Sequence, residues 1–427
     1  QTLRPDGHLT SGLVFSLAGL VGGSYFLYVA FTTTDLYQKG YFIRLAPWVF
    51  WLTALCAQTL TVLIFADIKR FWAYLRAHGL TLLAFFAVLA AGLVVHLQLG
   101  AMDYSELEIY SPNDQIDHDI KEQDIYLVYQ EGFNLLNGEN PYARASKINE
   151  NRWNAALPTY LPSMYYGSWL THLAGIDALE DWLSVWKGIF LFFNLAIAYL
   201  VFYVPTHRYD APVLGLVAAA LWLFNRWSLH VTTIAHFNFI PIFFFVLSLG
   251  LLPKRPIWAC LIFGLSLSFK HNAIFMGPIY LIWAWKRDDE NKLQNLLVAG
   301  VAMAAVPLLV SFPFLIQNLS GFVKSLSISL TRYPETHIGV LSLDALFGLV
   351  GLPAKIPLLL MILASYLVAW RTKLGYFAAG LLIMTIFVDF HSVLFRHYMA
   401  WIVPLVLLTI SESIILPLKR SAQAQAA

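Results

Sequence analysis

Runs of about 20 apolar residues recur along this chain, and one long polar segment, residues 101–160, interrupts them. A helix needs roughly 20 mostly apolar residues to cross the ~30 Å hydrocarbon core of a bilayer. Apolar residues make up 59% of the sequence and charged residues 12%, against about 45–50% and about 25% in soluble domains. The sequence therefore predicts an all-α polytopic membrane protein and excludes a soluble globular class.

The hydropathy pattern predicts about 10–13 transmembrane helices, some before the polar segment and most after it. The candidate spans are 11–32, 47–65, 80–99, 183–204, 212–224, 237–252, 257–269, 273–285, 296–315, 356–370, 374–388 and 398–416. Several are short, which predicts tilted or broken helices.

Compact basic connections set the orientation, because cytoplasmic loops retain Lys and Arg. If 160–176 is not a full span, alternation of the spans places these connections on one face and segment 101–160 on the other. We therefore predict an integral membrane protein whose polar segment faces the periplasm, the extracellular space or a lumen. The connections carry Lys69, Arg70, Arg76, Lys254, Arg255, Lys286, Arg287, Lys292, Arg371 and Lys373, and the tail carries Lys419 and Arg420.

Residues 123–137 of the polar segment have a helical pattern. Gly138 supplies a stop signal and Pro141 follows it. The pattern predicts an amphipathic helix that lies in the membrane interface. Its apolar residues recur at the i, i+3, i+4, i+7 spacing, namely Ile125, Val128, Tyr129, Gly132, Phe133 and Leu136.

Asp124 lies in the first turn of this predicted helix, where the helix dipole favours an ionised carboxylate. Such a group can accept a proton from a substrate hydroxyl, or it is simply a charge at the start of a helix. Asp117 and Asp119 lie just before the helix and are alternative candidates for the base. With His118 they also offer ligands for a hard cation. Three adjacent residues cannot readily face one ion, so this indication of a metal site is weak.

Basic side chains recur at the ends of apolar spans on the predicted outer face. Charges are costly in hydrocarbon and mark functional cavities, although each side chain can also reach the head groups. Arg and Lys are the usual phosphate-binding residues, whereas a neutral core imidazole is the alternative for each histidine. The candidates for a phosphate site are Lys270, His271, Arg332, Arg396 and His397.

These residues and their neighbours resemble the GT-C class of integral-membrane glycosyltransferases. The similarity is greatest to glycosyltransferase family 87, which includes polyprenol-phosphate-mannose-dependent mannosyltransferases. It covers roughly residues 80–416, and the two spans before Leu80 are extra relative to the usual arrangement of these enzymes. The matching motifs are DIYLVY at 124–129, LLNGENPY at 135–142, YLP at 160–162, FKHN at 269–272 and FRHY at 395–398.

The resemblance implies the GT-C fold, an extracytoplasmic active site and an inverting displacement in which Asp124 takes the proton of an acceptor hydroxyl. The donor would be a polyprenyl-phosphate-sugar, with mannose as the first choice, and the acceptor a lipid or glycan. The cationic residues would stabilise the leaving phosphate. No cofactor is implied, although some GT-C enzymes use a divalent metal. Residues that would contact the sugar or acceptor, or else anchor the loop in the interface, are Tyr126, Tyr129, Trp153 and Tyr160.

The chain then divides into N-terminal transmembrane helices (1–100), an extracytoplasmic catalytic loop (101–182), transmembrane helices around a donor-lipid cavity (183–417) and a cytoplasmic tail (418–427). A transporter or flippase for a lipid-linked or anionic solute is the alternative, since it would use the same cationic cavity without chemistry. The long one-sided loop with its carboxylates favours the transferase. No Lys/Arg run indicates a nucleic-acid partner, and no nucleotide-binding glycine motif is present.

Overall fold

The computed structural model describes residues 68–101, 123–147, 158–287, 290–331, 335–336, 346–349, 352–372, 374–390 and 393–415. Within these residues the regular structure is helical apart from two short strands. Four helices are long and apolar enough to cross a membrane, namely Gly79–Ala101, Leu179–Arg208, Lys292–Ser327 and Pro353–Arg371. The pair Pro212–Phe224 and Arg226–Thr233, bent by 42°, is a fifth if it is counted as one span. The prediction of an all-helical integral membrane protein is confirmed at this level.

The α-helices are α1 (Ile68–Ala101), α2 (Asp124–Leu136), α3 (Ser163–Leu173), α4 (Leu179–Tyr203), α5 (Pro212–Phe224), α6 (Arg226–Thr233), α7 (Phe239–Leu251), α8 (Pro256–Phe269), α9 (Gly277–Lys286), α10 (Lys292–Thr331), α11 (Leu352–Arg371), α12 (Tyr376–Asp389) and α13 (Met399–Ile410). Short 3₁₀ segments are Pro141–Lys147, His271–Met276 and Arg396–Tyr398. β1 (Glu335–Thr336) pairs in parallel with β2 (Val393–Leu394). The predicted spans 11–32 and 47–65 lie outside the described residues.

The described residues form two compact units, which fall within 1–103, 187–234 and 410–427 for the first and within 104–186 and 235–409 for the second. In the first unit, His96 of α1 joins the segment where α5 ends and α6 begins. Its Nε2 donates to the Leu223 carbonyl at 2.8 Å, and its Nδ1 lies 2.6 Å from Thr232 Oγ1. Asn225 caps α6 by accepting from the backbone N–H groups of Trp227 and Ser228. Hydrogen bonds thus stabilise the junction between α5 and α6.

In the second unit, α2 packs closely on α3. A Cβ on Gly132 would clash with Ser168, so the two backbones approach more closely than any larger residue permits. His172 of α3 adds polar contacts, since its Nε2 lies 3.1 Å from the Tyr129 carbonyl and its Nδ1 lies 3.1 Å from Asp177. Within the polar segment, residues 124–136 therefore form a helix that packs on α3.

The apolar side chains of α2 divide between the protein interior and the exposed surface. Ile125, Val128 and Gly132 are buried, and Leu127 and Glu131 are buried beside them. Phe133 and Leu136 are exposed. The position of the helix in the membrane interface stays a prediction.

The 3₁₀ segment Pro141–Lys147 packs against α10. The Tyr142 ring lies 4.7 Å from that of Phe322 and 5.4 Å from that of Phe314. The backbone at Gly321 is so close to the Tyr142 carbonyl that a Cβ there would clash. α10 also departs from helical geometry at Asn318, with φ −157° and ψ 77°. The Tyr142 hydroxyl also donates to the Tyr160 carbonyl at 2.7 Å, which links this packing to Tyr160.

Candidate active site

Asp124 is the first residue of α2, and its side chain is 40% exposed. Its Oδ2 accepts two hydrogen bonds, one from the Tyr160 hydroxyl at 2.6 Å and one from His236 Nε2 at 3.2 Å. Within the described residues, no hydrogen-bond donor contacts Oδ1. Among the described residues, Tyr160 and His236 thus hold one carboxylate oxygen, Oδ2, and leave Oδ1 without a hydrogen-bond donor.

Tyr160 reaches Asp124 from the short extended stretch that precedes α3. The Tyr160 backbone N–H donates to the Tyr165 hydroxyl at 3.3 Å, and its carbonyl accepts from Tyr142. Its ring packs edge-on against Phe237 at 4.8 Å. These contacts hold the backbone and the ring of Tyr160, so its hydroxyl is delivered to the carboxylate in a defined position.

His236 follows Ala235, which has a φ of +48° in the left-handed region. That conformation costs a non-glycine residue about 1–2 kcal/mol, and it turns the chain abruptly before the imidazole. The His236 Nδ1 accepts from the Asn238 backbone N–H at 3.2 Å. The imidazole hydrogen therefore lies on Nε2, from which it is donated to Asp124. The His236 ring stacks on that of His397 with centroids 4.0 Å apart.

Lys270 lies in extended conformation (φ −152°, ψ 124°) at the end of α8, where the helix breaks before His271–Met276. The residue is only 2% exposed. Its Nζ donates to Asn238 Oδ1 at 3.0 Å and lies 5.1–5.2 Å from the ring centroids of Tyr160, Phe237 and Tyr398. Among the described residues, no carboxylate is in ion-pair contact with this ammonium. Aromatic faces and one amide thus solvate a buried cation.

Burial and the neighbouring charges together shift the pKa values of Asp124, Lys270 and Tyr160. Burial alone would raise the pKa of Asp124, but the hydrogen bond and charge of His236, the charge of Lys270 and the Tyr160 hydrogen bond hold that pKa well below its usual range. Burial lowers the pKa of Lys270 to about 7, against the opposing attraction of Asp124. Burial and the Asp124 carboxylate raise the pKa of Tyr160 well above its ordinary value. At neutral pH, Asp124 is ionised and Tyr160 is a neutral donor.

Asp124, His236 and His397 also form the one group of potential metal ligands found in the described part of the chain, with ligand atoms within 4.8 Å of one another. Two imidazoles and a carboxylate are a donor set that suits zinc or iron. The two imidazoles, however, are stacked on each other, with ring centroids 4.0 Å apart and an interplanar angle of 28°. The His236 Nε2 hydrogen is already donated to Asp124. The geometry therefore fits a hydrogen-bonded base better than a metal centre, and the expectation of no metal stays a prediction.

The structure brings together several of the residues predicted from the sequence and separates others. Asp124, Tyr160, Lys270 and His397 lie in or next to the hydrogen-bonded cluster. His271 follows Lys270 with a buried Nδ1 that has no hydrogen-bond partner among the described residues. Arg396 is partly exposed beside His397. The residues Asp117, Asp119, Trp153 and Arg332 lie outside the described part of the chain.

Tyr126 and Tyr129, two of the tyrosines predicted to bind sugar, contact each other, and Tyr129 also contacts residues at and after the end of α3. The Tyr129 hydroxyl donates to the Asp177 carbonyl at 2.8 Å, and its ring packs edge-on against Trp182 and His172. Tyr126 stacks on Tyr129 with centroids 5.8 Å apart. Tyr129 thus holds α2 against the residues that follow α3, and Tyr160 is the one of the three described tyrosines that contacts Asp124.

His236 and Asn238 are site residues that were not among the candidates for the base or for the phosphate site in the sequence. Both lie in the short break HFN (236–238) between α6 and the apolar helix α7. A similar polar break at the end of an apolar span identified Lys270 as a candidate, so the same pattern could have identified residues 236–238. No local pattern connects this break to Asp124, which is 112 positions away in the sequence.

No family model matches this sequence, and no curated protein or solved structure is significantly similar to it. The chemistry of the site is therefore the guide to function.

Proposed function

We propose that this protein is a membrane glycosyltransferase with the GT-C fold, which moves a hexose from a polyprenyl-phosphate-sugar to a lipid-linked or glycan acceptor. Mannose is our first choice of sugar, and the extracytoplasmic face is the proposed side of reaction. The carrying observation is that both Asp124 and Lys270 contact one tyrosine, Tyr160. Within the described residues, Asp124 has one oxygen without a hydrogen-bond donor, and the buried Lys270 ammonium has no ion-pair partner. Such a pair suits a reaction that removes a proton at one point and releases a phosphate at another.

Asp124 supports the role of general base. Oδ2 is held by Tyr160 and His236, so the open oxygen, Oδ1, has a fixed direction toward an acceptor hydroxyl. A base of depressed pKa is a weak proton acceptor. The proton therefore transfers late, when the attacking oxygen already bonds to the anomeric carbon and its hydrogen has become acidic.

Lys270 supports the role of phosphate ligand. Burying an ammonium without a counterion is unfavourable, and an incoming anion removes that penalty. An ammonium has three N–H bonds, and Asn238 takes one of them. Two remain for phosphate oxygens. His271 follows Lys270 in the chain and His397 stacks on His236, so both are candidates for further donors. The rings of Tyr160, Phe237 and Tyr398 surround the ammonium.

The reaction balances without a cofactor. The acceptor oxygen forms a bond to the anomeric carbon as the bond from that carbon to the phosphate oxygen breaks. The electron pair of the broken bond stays on the polyprenyl phosphate, which Lys270 stabilises. The hydroxyl proton moves to Asp124 and then to water. A single displacement inverts the configuration at the anomeric carbon.

The proposal is tested with protein in lipid nanodiscs, radiolabelled polyprenyl-phosphate-mannose and membrane-extracted acceptors. We expect Asp124→Asn to lower sugar transfer by about 10²–10⁴-fold while donor binding is retained. Asp181→Asn is the matched control, since Asp181 is an exposed carboxylate in the first turn of α4, outside the site. Asp119→Asn tests the rival base. Loss of transfer at Asp119 with normal transfer at Asp124 would move the base to Asp119.

The transporter alternative gives a different result in the same system. A carrier would move the labelled lipid between the leaflets of a proteoliposome and leave the sugar–phosphate bond intact. If wild-type protein neither transfers nor hydrolyses the donor but moves it across the bilayer, the transferase proposal is overturned.

A further inference from the structure

Asn238, next to the start of α7, contacts three parts of the candidate site although it is fully buried. Its Oδ1 accepts from Lys270 Nζ at 3.0 Å. Its Nδ2 donates to the His397 carbonyl at 2.9 Å. Its backbone N–H donates to His236 Nδ1 at 3.2 Å. One residue thus lies between the proposed phosphate ligand, the His397 segment and the histidine that contacts Asp124.

The two partners of the side chain fix the orientation of the amide. An ammonium can only donate, so the amide oxygen must face Lys270, and a backbone carbonyl can only accept, so the amide nitrogen must face His397. A carboxylate at this position would repel the His397 carbonyl, and an aliphatic side chain would satisfy neither partner. Both bonds are therefore specific to a short amide.

The hydrogen bond from the Asn238 backbone N–H affects the part of the site around Asp124. With Nδ1 of His236 occupied by the Asn238 N–H, the imidazole carries its hydrogen on Nε2 and donates it to Asp124. The turn that makes this bond begins at the left-handed Ala235. The same residue that holds Lys270 through its side chain thus sets the tautomer of His236 through its backbone.

We propose that Asn238 is a positioning residue that aims the Lys270 ammonium at the donor phosphate and ties it to the segment that carries His397. This inference rests on the proposed glycosyltransferase function. Within the described residues, Asn238 Oδ1 is the one hydrogen-bond acceptor of this ammonium. Without it, the ammonium moves freely among its three aromatic neighbours and no longer presents its other N–H bonds in a fixed direction.

The test compares Asn238→Leu and Asn238→Asp with wild type, using radiolabelled polyprenyl-phosphate-mannose and a fixed saturating acceptor. A hydrogen bond to a charged group corresponds to about a tenfold to hundredfold change in binding. We expect the donor KM to rise by about that factor in both variants, and kcat to fall less than in Asp124→Asn because Asp124 keeps its two donors. Asn194→Leu is the control, since Asn194 is an equally buried amide in the first unit.

The pH dependence of donor KM separates positioning from a general structural role. In Asn238→Leu the ammonium loses an acceptor, so the pH above which donor binding weakens moves down. In Asn238→Asp a carboxylate stabilises the ammonium, so that pH moves up, although the carboxylate also competes with the phosphate. We therefore expect the two variants to shift this pH in opposite directions, although both raise the donor KM. A loss of folded protein would instead lower activity equally at all pH values.

Failure of the inference is distinguishable from failure of the proposed function. If wild type transfers mannose and both Asn238 variants match it in donor KM and pH profile, the positioning role is overturned and the transferase stands. Equal losses in Asn194→Leu and Asn238→Leu also overturn it. If wild type neither binds nor cleaves the donor, the proposed function fails first.

Discussion

The Tyr160 hydroxyl donates to Oδ2 of Asp124 at 2.6 Å, so that the carboxylate is held from the side away from Oδ1. Tyr160 reaches this position from a stretch that Tyr142 and Tyr165 hold in place. The proposed base is therefore oriented by residues that follow it in the polar segment and by His236 from the distant break before α7.

Tyr160→Phe keeps the ring beside Lys270 and removes the bond to Asp124. A hydrogen bond to a charged group contributes about 1.5–3 kcal/mol, and the loss falls on the orientation of the base. We expect kcat to fall by about tenfold or more, with donor KM within about threefold of wild type. Tyr366→Phe is the control, because the Tyr366 hydroxyl makes a similar 2.7 Å bond to the Phe275 carbonyl away from Asp124. Unchanged kcat in Tyr160→Phe would contradict the orienting role.

The pH profile follows from the charge of Lys270. Its pKa is lowered to about 7, so the ammonium that attracts phosphate is present below pH 7 and is lost as the pH rises through 7. We expect kcat/KM for the donor to fall above about pH 7, and kcat to fall only at higher pH because bound phosphate stabilises the ammonium. Asp124, whose pKa is depressed, stays ionised and adds no loss between about pH 5 and 7.

Lys270→Arg provides the check on this assignment. A guanidinium stays charged throughout the accessible range, so the variant should bind the donor more weakly, because its shape differs, but without the decline above pH 7. A decline that persists unchanged in Lys270→Arg would assign the titration to another group.

Removal of divalent metal should leave transfer unchanged. The stacking of His236 on His397 and the hydrogen bond from His236 to Asp124 favour a metal-free cluster. We expect protein treated with EDTA and repurified by gel filtration to keep its full rate, and no metal to copurify in stoichiometric amount by mass spectrometry. Loss of activity that Zn²⁺ or Mn²⁺ restores in wild type, with metal content lost in His236→Ala, would identify Asp124, His236 and His397 as a metal site.

The approach of α2 to α3 gives a prediction for stability. Gly132→Ala would place a methyl group against Ser168, including its backbone, so the helices must separate. Overpacking of this kind costs about 1–3 kcal/mol. We expect a lower melting temperature in detergent, with Gly277→Ala as the control, since nothing lies within 4 Å of a Cβ at that helical position. Equal melting temperatures for the two variants would contradict the packing described for α2 and α3.

Local features of the site were predictable from the sequence because short-range rules determine them. The predicted helix 123–137 is α2, Asp124–Leu136, with Gly138 at a φ of +79° as its stop signal. The predicted break at Lys270 is the end of α8. Asp124 lies in the first turn, as expected.

The partners of these residues were not predictable, because they depend on contacts between distant parts of the chain. Asp124 meets His236 across 112 positions, and Asn238 meets His397 across 159. The packing of α2 on α3 has a similar origin. Hydrophobicity marks which residues can be buried, whereas a small residue such as Gly132 decides which side of the helix approaches its neighbour.

The solvation of Lys270 by aromatic rings and one amide has a consequence for proton balance. Near neutral pH a lysine of pKa about 7 is divided between its ammonium and amine forms. A bound phosphate stabilises the ammonium, so arrival of the donor draws a proton from the surrounding buffer. Departure of the polyprenyl phosphate returns it. In each turnover, Lys270 would therefore take up a fraction of a proton and release it again, and this exchange does not appear in the overall equation. The heat of donor binding would vary with the ionisation enthalpy of the buffer.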